Sequence, residues 1–304
     1  MKPDTRSFYE RAVVTAVRRV ATSLDEALDL HALARGASLS PLHFHRVFRG
    51  LAGETPLELH RRLRLERAAH RLRETDESVV SLALEAGYET HESFTRAFGA
   101  AYGLSPSAFR SSASCLRTAL VSPSGVHFDP SLDVMSRVEP LFQGDPTPMH
   151  VTTESLPSLR VFSLRHVGSY ARIGETFARL GAIAQATGLF ADPRATMIAL
   201  YHDAPEGKPE AELQSDAGIV VSEGQARPDG LDEILLPAGR FAKATHMGSY
   251  AGLPGAWARL MGDWLPKSGL RVGDGLPFEL YRSDPRFAKE ADLVTELYVP
   301  VTAP

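Results

Sequence analysis

Two arginines hold the same place in two copies of one pattern. Ser40, Phe44, Arg46, Phe48, Gly53, Thr55 and Pro56 match Thr90, Phe94, Arg96, Phe98, Gly103, Ser105 and Pro106 at a fixed offset of fifty residues. A guanidinium carries a planar fork of donors that suits guanine O6 and N7, or phosphate oxygens. The hydroxyls of Ser40 and Thr90 are placed to cap helices, and helix N-termini attract anions. A second set of residues points to other chemistry. Glu296 lies in a stretch of alternating apolar residues, and Tyr170, Tyr201, Tyr250, Trp257 and Tyr281 are aromatic candidates to surround it. A carboxylate in an apolar groove is costly unless paired. A bound cation would pair it, and each aromatic face would add roughly 0.5–2 kcal/mol of cation–π attraction.

The elements that must position these groups can be read from period and punctuation. Residues 78–110 divide into a short apolar helix, a turn at Gly87, a second helix and a Ser-Pro stop. In the second helix Phe94, Ala97, Phe98 and Ala101 form one apolar stripe, and the other face carries Glu92, Thr95, Arg96 and Gly99. Two short helices joined through glycine, the second with a polar outer face, read as a helix-turn-helix. The earlier copy spans residues 40–51, with Phe44, Val47, Phe48 and Leu51 inward and Leu42, His45, Arg46 and Arg49 outward. Helices are also expected over 7–22, 24–35 and 56–74. Arg61, Arg62, Arg64 and Arg67 of the last are read either as a solvated face or as phosphate contacts. Reading one duplex with both copies asks for a spacing of roughly 34 Å and for both guanidinia to be accessible.

The chain has 304 residues with 33 Lys and Arg against 37 Asp and Glu, a length that favours two domains. A net charge of −4 argues against a nonspecific basic coat on nucleic acid, but a local basic face would suffice for binding. Cys115 is the single cysteine, so no internal disulfide forms, and a spectator thiol in a reducing cytosol is expected. There is no long apolar signal region and no run approaching a membrane span, so a cytoplasmic protein without a membrane partner is expected. Residues 111–148 are rich in Ser, Pro, Asp and Gly without period, and read as a linker between an N-terminal block (1–110) and a C-terminal one (149–304). Part of the linker, 125–134, is a candidate to dock on either block.

From residue 149 a second repeat runs at an offset of eighty. His166, Gly168, Ser169 and Tyr170 match His246, Gly248, Ser249 and Tyr250; Leu200, Tyr201 and Pro205 match Leu280, Tyr281 and Pro285; Asp216, read as a cap or turn, matches Glu296. Strands are expected at 151–156, 160–166, 195–202 and 216–221, and again at 232–236, 240–246, 277–282 and 292–299. Helices at 173–187 and 253–267 interrupt them. Each half is strand-strand-helix-strand-strand, and one half alone would leave a sheet face bare, so two should pair about a pseudo-twofold axis with a groove between them. Trp264 is read as core or pocket. His166 and His246 are read as hydrogen-bonded corners, and neither metal nor cofactor is expected.

Residues 24–110, through SPLHFHRVFRGLAGETP, RRLRLERAAHRLRETDESV and ALEAGYETHESFTRAFGAAYGLSPSAFR, resemble the DNA-binding domain of AraC/XylS-type transcription regulators. Glu92 departs from the usual uncharged residue of that face; it would accept from cytosine N4 or repel phosphate. Residues 149–302, through LPSLRVFSLRHVGSYARI, the second HMGSY, FELYRSDP and TELYVPV, resemble the GyrI-like effector-binding domain. The resemblances imply an all-α, homeodomain-like double helix-turn-helix and a duplicated α+β domain with an antiparallel sheet. They imply binding to double-stranded DNA by Ser40, Leu42, His45, Arg46, Arg49, Thr90, His91, Glu92, Thr95 and Arg96. They also imply an aromatic or cationic effector held by Glu296, Tyr281, Tyr201, Trp257, Tyr170 and Tyr250. Placing the DNA-binding block first is similar to regulators of drug, oxidant and solvent stress. Whether ligand frees that block, reorients it or exposes a surface to RNA polymerase stays open. Two alternatives remain: a hydrolase of reactive natural products using Glu296 to orient water, and a C-terminal protein-binding module.

Overall fold

The computed structural model describes residues 5–112, 118–130 and 149–303; Cys115 and the rest of the linker lie outside them. Among the described residues seven helices come first: α1 (Thr5–Thr22), α2 (Leu30–Gly36), α3 (Pro41–Ala52), α4 (Pro56–Glu74), α5 (Val79–Glu85), α6 (His91–Tyr102) and α7 (Pro106–Ser111). Their starts are set by side chains that accept from orphan amides: Ser40, Thr55, Ser78, Thr90 and Ser105 each cap the helix that follows. Thr55 and Glu58 complete a reciprocal capping box. Gly53 and Gly103 end α3 and α6 in the left-handed region, at φ 75° and 73°, where a side chain would be strained. The fifty-residue repeat is therefore one helix-turn-helix built twice, with α4 between the copies.

Two expectations are corrected in this region. The second helix begins after Asp29, whose carboxylate accepts from Ala32 N at 2.8 Å, and not at residue 24. The arginines of α4 mostly hold the fold together. Arg62 is buried, forks onto Glu54 at 2.7 and 3.0 Å, and also donates to Glu66 and to the carbonyl of Val126. Arg64 donates to the carbonyl of Leu24, and Arg67 pairs with Asp25; Arg61 is left exposed. Glu66, in turn, accepts from Leu120 N and Phe128 N at 2.9 Å each. This network docks residues 118–130 on α4, and Val126 is fully buried.

The C-terminal strands are β1 (Val151–Leu156), β2 (Leu159–Val167), β3 (Thr196–Tyr201), β4 (Gln214–Val221), β5 (Asp232–Leu236), β6 (Gly239–Met247), β7 (Arg271–Val272), β8 (Phe278–Tyr281) and β9 (Val294–Thr302). They form one antiparallel sheet in the order β1-β6-β9-β8-β3-β4-β2-β5, with β7 beside β9. The halves exchange their first strands: β1 pairs with β6 of the second half, and β5 with β2 of the first. They meet at β3 and β8, where Ala199 faces Glu279 across the ladder.

Helix α8 (Ile173–Ala186) covers Phe162, Ala217, Ile219 and Val221 on one face of the first half. The same face of the second half is covered by α9 (Leu253–Arg259), a π turn (Leu260–Trp264) and α10 (Leu265–Ser268). Pro266 has no N–H to give the carbonyl one turn back, which accounts for the widened turn within an otherwise continuous helix. The opposite face closes over its own cluster, in which the rings of Phe278 and Tyr298 stack at 4.7 Å.

The two blocks are not separate cores. Tyr9, Val13 and Val17 of α1 and Phe44, Val47 and Phe48 of α3 belong to one apolar cluster with Ala242, Ala244, Trp257, Leu260, Met261 and Leu297. The second helix-turn-helix keeps its own core around Phe94, Phe98 and Phe109. The first therefore leans on the sheet domain, while the second stands on α4.

Candidate ligand groove and nucleic-acid interface

Strand alternation decides what enters the groove between α8 and α9. Ile198, Leu200, Phe278 and Leu280 point to the far face, so Ala199, Tyr201, Glu279 and Tyr281 point between the helices. Glu279 is 2% exposed on a central strand. Its carboxylate accepts from Trp257 Nε1 at 2.6 Å, Tyr281 OH at 2.7 Å and Tyr201 OH at 2.9 Å. Burial first, and then the charge of Glu279, push both phenols well above their usual 10, so they stay protonated donors.

Tyr170 and Tyr250 reach the same place from equivalent corners. Each follows a glycine of positive φ, 125° at Gly168 and 111° at Gly248. His166 and His246 pin the corners by donating from Nε2 to the carbonyls of Ser169 and Ser249, both at 2.9 Å. The ring of Tyr170 packs edge-on to Tyr201 at 5.0 Å, and that of Tyr250 edge-on to Tyr281 at 5.4 Å. Tyr170 OH donates to the carbonyl of Asp203 at 2.7 Å, and burial pushes its pKa up to about 12. Tyr281, Tyr201, Trp257, Tyr170 and Tyr250 thus converge, while Trp264 packs with the shared core.

Glu296 is not among them. It pairs across the ladder with Leu280, which places it on the far face of the sheet. There it accepts from Arg282 Nε at 2.7 Å and Tyr298 OH at 3.0 Å, with Lys243 Nζ at 3.7 Å. Asp216 is neither cap nor turn: it is buried within β4 and paired with Arg165 and His202. The acid of the groove is Glu279. Its signal was in the sequence, because the offset of eighty sets Glu279 against Ala199, a charge against a methyl at one repeated position.

The N-terminal candidates divide sharply. Ser40, Arg49, Thr90, His91, Glu92 and Arg96 are exposed, and Thr95 is half-buried. Leu42 and His45 are each only 5% exposed, against the expectation that they face outward. Leu42 enters the groove and packs with Ala199 and Tyr201. His45 Nε2 lies 3.9 Å from Glu206 of the sheet domain. Arg46 follows Leu42 into the groove: its guanidinium carbon lies 3.6 Å from the centre of the Trp257 ring and 5.5 Å from that of Tyr201. Its Nη1 is sealed from solvent without a hydrogen-bond partner. Desolvation lowers its pKa to about 10 against the opposing pull of Glu279, so it remains a cation at neutral pH. In this conformation Arg46 cannot meet a duplex. The body covering it is the sheet domain, not the core of its own helix-turn-helix.

Comparison with known proteins fits this architecture. Residues 149–302 match the model of the GyrI-like small molecule binding domain. The chain belongs to the GyrI-like family. Residues 33–112 ahead of the GyrI-like domain match a helix-turn-helix domain of the AraC type. An HTH-type transcriptional regulator, YbfP of Bacillus subtilis, is 33% identical over 103 residues, 34% of this chain and 35% of that protein. A DNA gyrase inhibitor of Yersinia enterocolitica is 31% identical over 132 residues, 42% of this chain and 82% of that protein. A solved complex of EcmrR with DNA aligns at 21% identity with a TM-score of 0.43, covering 51% of this chain and 58% of that one. The chain spans about a third of the length of the first curated relatives it matches.

Proposed function

We propose that this GyrI-like chain is a DNA-binding transcription regulator whose sheet domain senses a small aromatic cation. The observation that carries the sensing half is Glu279: a buried carboxylate satisfied only by neutral donors, with a guanidinium already stacked on the indole beside it. Such a site keeps its negative charge uncompensated by direct pairing and walls it with aromatic faces, which is what a delocalised organic cation requires. The DNA-binding half rests on the match of residues 33–112 and on α6, a helix capped by Thr90 whose exposed residues include Arg96.

The sensing half is tested with two ions of one shape and opposite charge. Tetraphenylphosphonium should bind the chain in a calorimeter and tetraphenylborate should not. Glu279→Gln should narrow that difference, and Glu296→Gln should leave it intact. Equal binding of the two ions would remove the charge-selective reading. For the other half, Arg96→Ala should weaken binding to a captured genomic fragment by roughly 1–3 kcal/mol. An unchanged gel shift would remove direct contact by α6.

A hydrolase using the Glu279 carboxylate as its base would also need a proton donor. The groups in contact with Glu279 are an indole and two phenols whose protons are held by burial, and neither type releases a proton near neutral pH. A binding role suits this groove better than turnover.

A further inference from the structure

We infer that α3 is an internal occupant of the ligand groove, with Arg46 standing in for the effector's cation and Leu42 for its apolar arm, so that effector and DNA cooperate by both requiring α3 to leave. This rests on the sensor reading above and gives it a mechanism. The two side chains lie one helical turn apart and point the same way. Arg46 stacks on Trp257 within the field of Glu279, and Leu42 fills the space among Ala199, Tyr201, Tyr170 and Phe177. A ligand binding there must displace both. The same helix carries the first of the two duplicated DNA-facing surfaces, so a duplex must displace them too.

The docked state shows signs of an interface made to open. Apolar packing and a close backbone approach hold it: a Cβ on Gly262 would come within 2.1 Å of the backbone of Gly50. Polar atoms on the same helix oppose it. Arg46 Nη1 and His43 Nε2 are both buried without a hydrogen-bond partner, a cost that water or phosphate would relieve on release. A helix held by apolar contacts and frustrated in its polar ones is a two-state element that a ligand can bias.

The groove also describes its ligand. An occupant copying α3 has a planar delocalised cation for the indole face and an apolar group beyond it. By linkage, such a ligand raises affinity for DNA, and DNA raises affinity for the ligand by the same factor.

The test uses the full chain and tetraphenylphosphonium. Arg46→Ala removes the competitor, so the cation should bind roughly tenfold tighter than to wild type. A second measurement does not depend on that variant. Leu42→Cys, with Cys115→Ser to silence the chain's single native thiol, should react slowly with a maleimide alone and at least about fivefold faster with the cation present. Tighter binding together with faster labelling supports the inference. Equal affinity in wild type and Arg46→Ala, or cation binding that leaves labelling slow, overturns it while the sensor reading stands. No binding to either chain overturns both.

Discussion

Glu279→Gln is informative because it removes a charge and leaves the shape. The carboxamide oxygen can still accept from Trp257, and the amino group meets the hydroxyls of Tyr201 and Tyr281, which can rotate to accept. Breaking a buried ion pair costs about 3–5 kcal/mol. Glu279 makes no direct bond to the guanidinium of Arg46 and shares its charge among three donors, so roughly 2 kcal/mol is a fairer value, or about 30-fold in a dissociation constant. What the assay reads depends on what else occupies the groove. If Arg46 competes with the ligand, losing Glu279 weakens both occupants and the two losses largely cancel. Calorimetric titration of tetraphenylphosphonium should then show a loss of less than about fivefold for Glu279→Gln alone, and about 30-fold when Arg46→Ala is also present. The non-additivity is the signature of displacement. An equal loss in both backgrounds would refute it, because a spectator arginine leaves the cycle additive.

Three further outcomes follow from the geometry. Gly262→Ala places a methyl against the backbone of Gly50, an overpacking that typically costs about 1–3 kcal/mol; it should loosen α3 and raise ligand-free DNA affinity, and a gel shift no tighter than wild type would count against it. His43 is held at about 4, below its unfolded value, chiefly by burial and then by the charge of Arg46. The unfolded chain therefore takes up a proton between pH 6.5 and 4 that the folded one refuses, and His60, lowered the same way, adds to it. Stability should be full above pH 6.5 and fall toward pH 4 by up to about 1.4 kcal/mol per unit for His43, a slope that His43→Gln should flatten in urea titrations. Arg62→Met leaves Glu54 and Glu66 buried without their cation and should cost about 3–5 kcal/mol, seen as a lower melting temperature and faster proteolysis within 118–130; an unchanged cleavage rate would mean the network does not hold that segment.

Much of the fold was legible because both repeats carry their own punctuation. Caps at Ser40 and Thr90, glycines at 53 and 103, and the paired His-x-Gly-Ser-Tyr corners fixed where elements begin and end. The exchange of β1 and β5 was not legible, since two halves with the same pattern allow either pairing. The choice of acid failed on a matter of faces. Both faces of the sheet are apolar, so alternation places Glu296 with Tyr298 and Glu279 with Tyr281 without saying which face the helices cover. The burial of α3 had one overlooked marker: Leu42, an apolar side chain on a face otherwise given to water. The α2 boundary was missed because Leu24 continues a plausible apolar run, whereas Asp29 supplies the actual cap.

The two duplications depart from symmetry at positions that meet in space. In the sheet domain the repeated position holds Ala199 in one half and Glu279 in the other, so a groove on a pseudo-twofold axis carries a single charge and a definite polarity. In the helical block Arg46 and Arg96 are the same residue in the same frame, yet one is stacked inside that groove and the other is exposed. The difference cannot come from the helix-turn-helix itself, which is common to both. It comes from what only the first copy can touch: the indole of Trp257, the carboxylate of Glu279, and the glycine of the π turn that lets α3 approach. Removing that neighbour should make the copies equivalent. A chain ending after α7 would present both arginines to solvent and, if that block folds alone, should bind DNA without ligand and with no response to it. A truncated chain that still needed the cation would place the control elsewhere than in the groove.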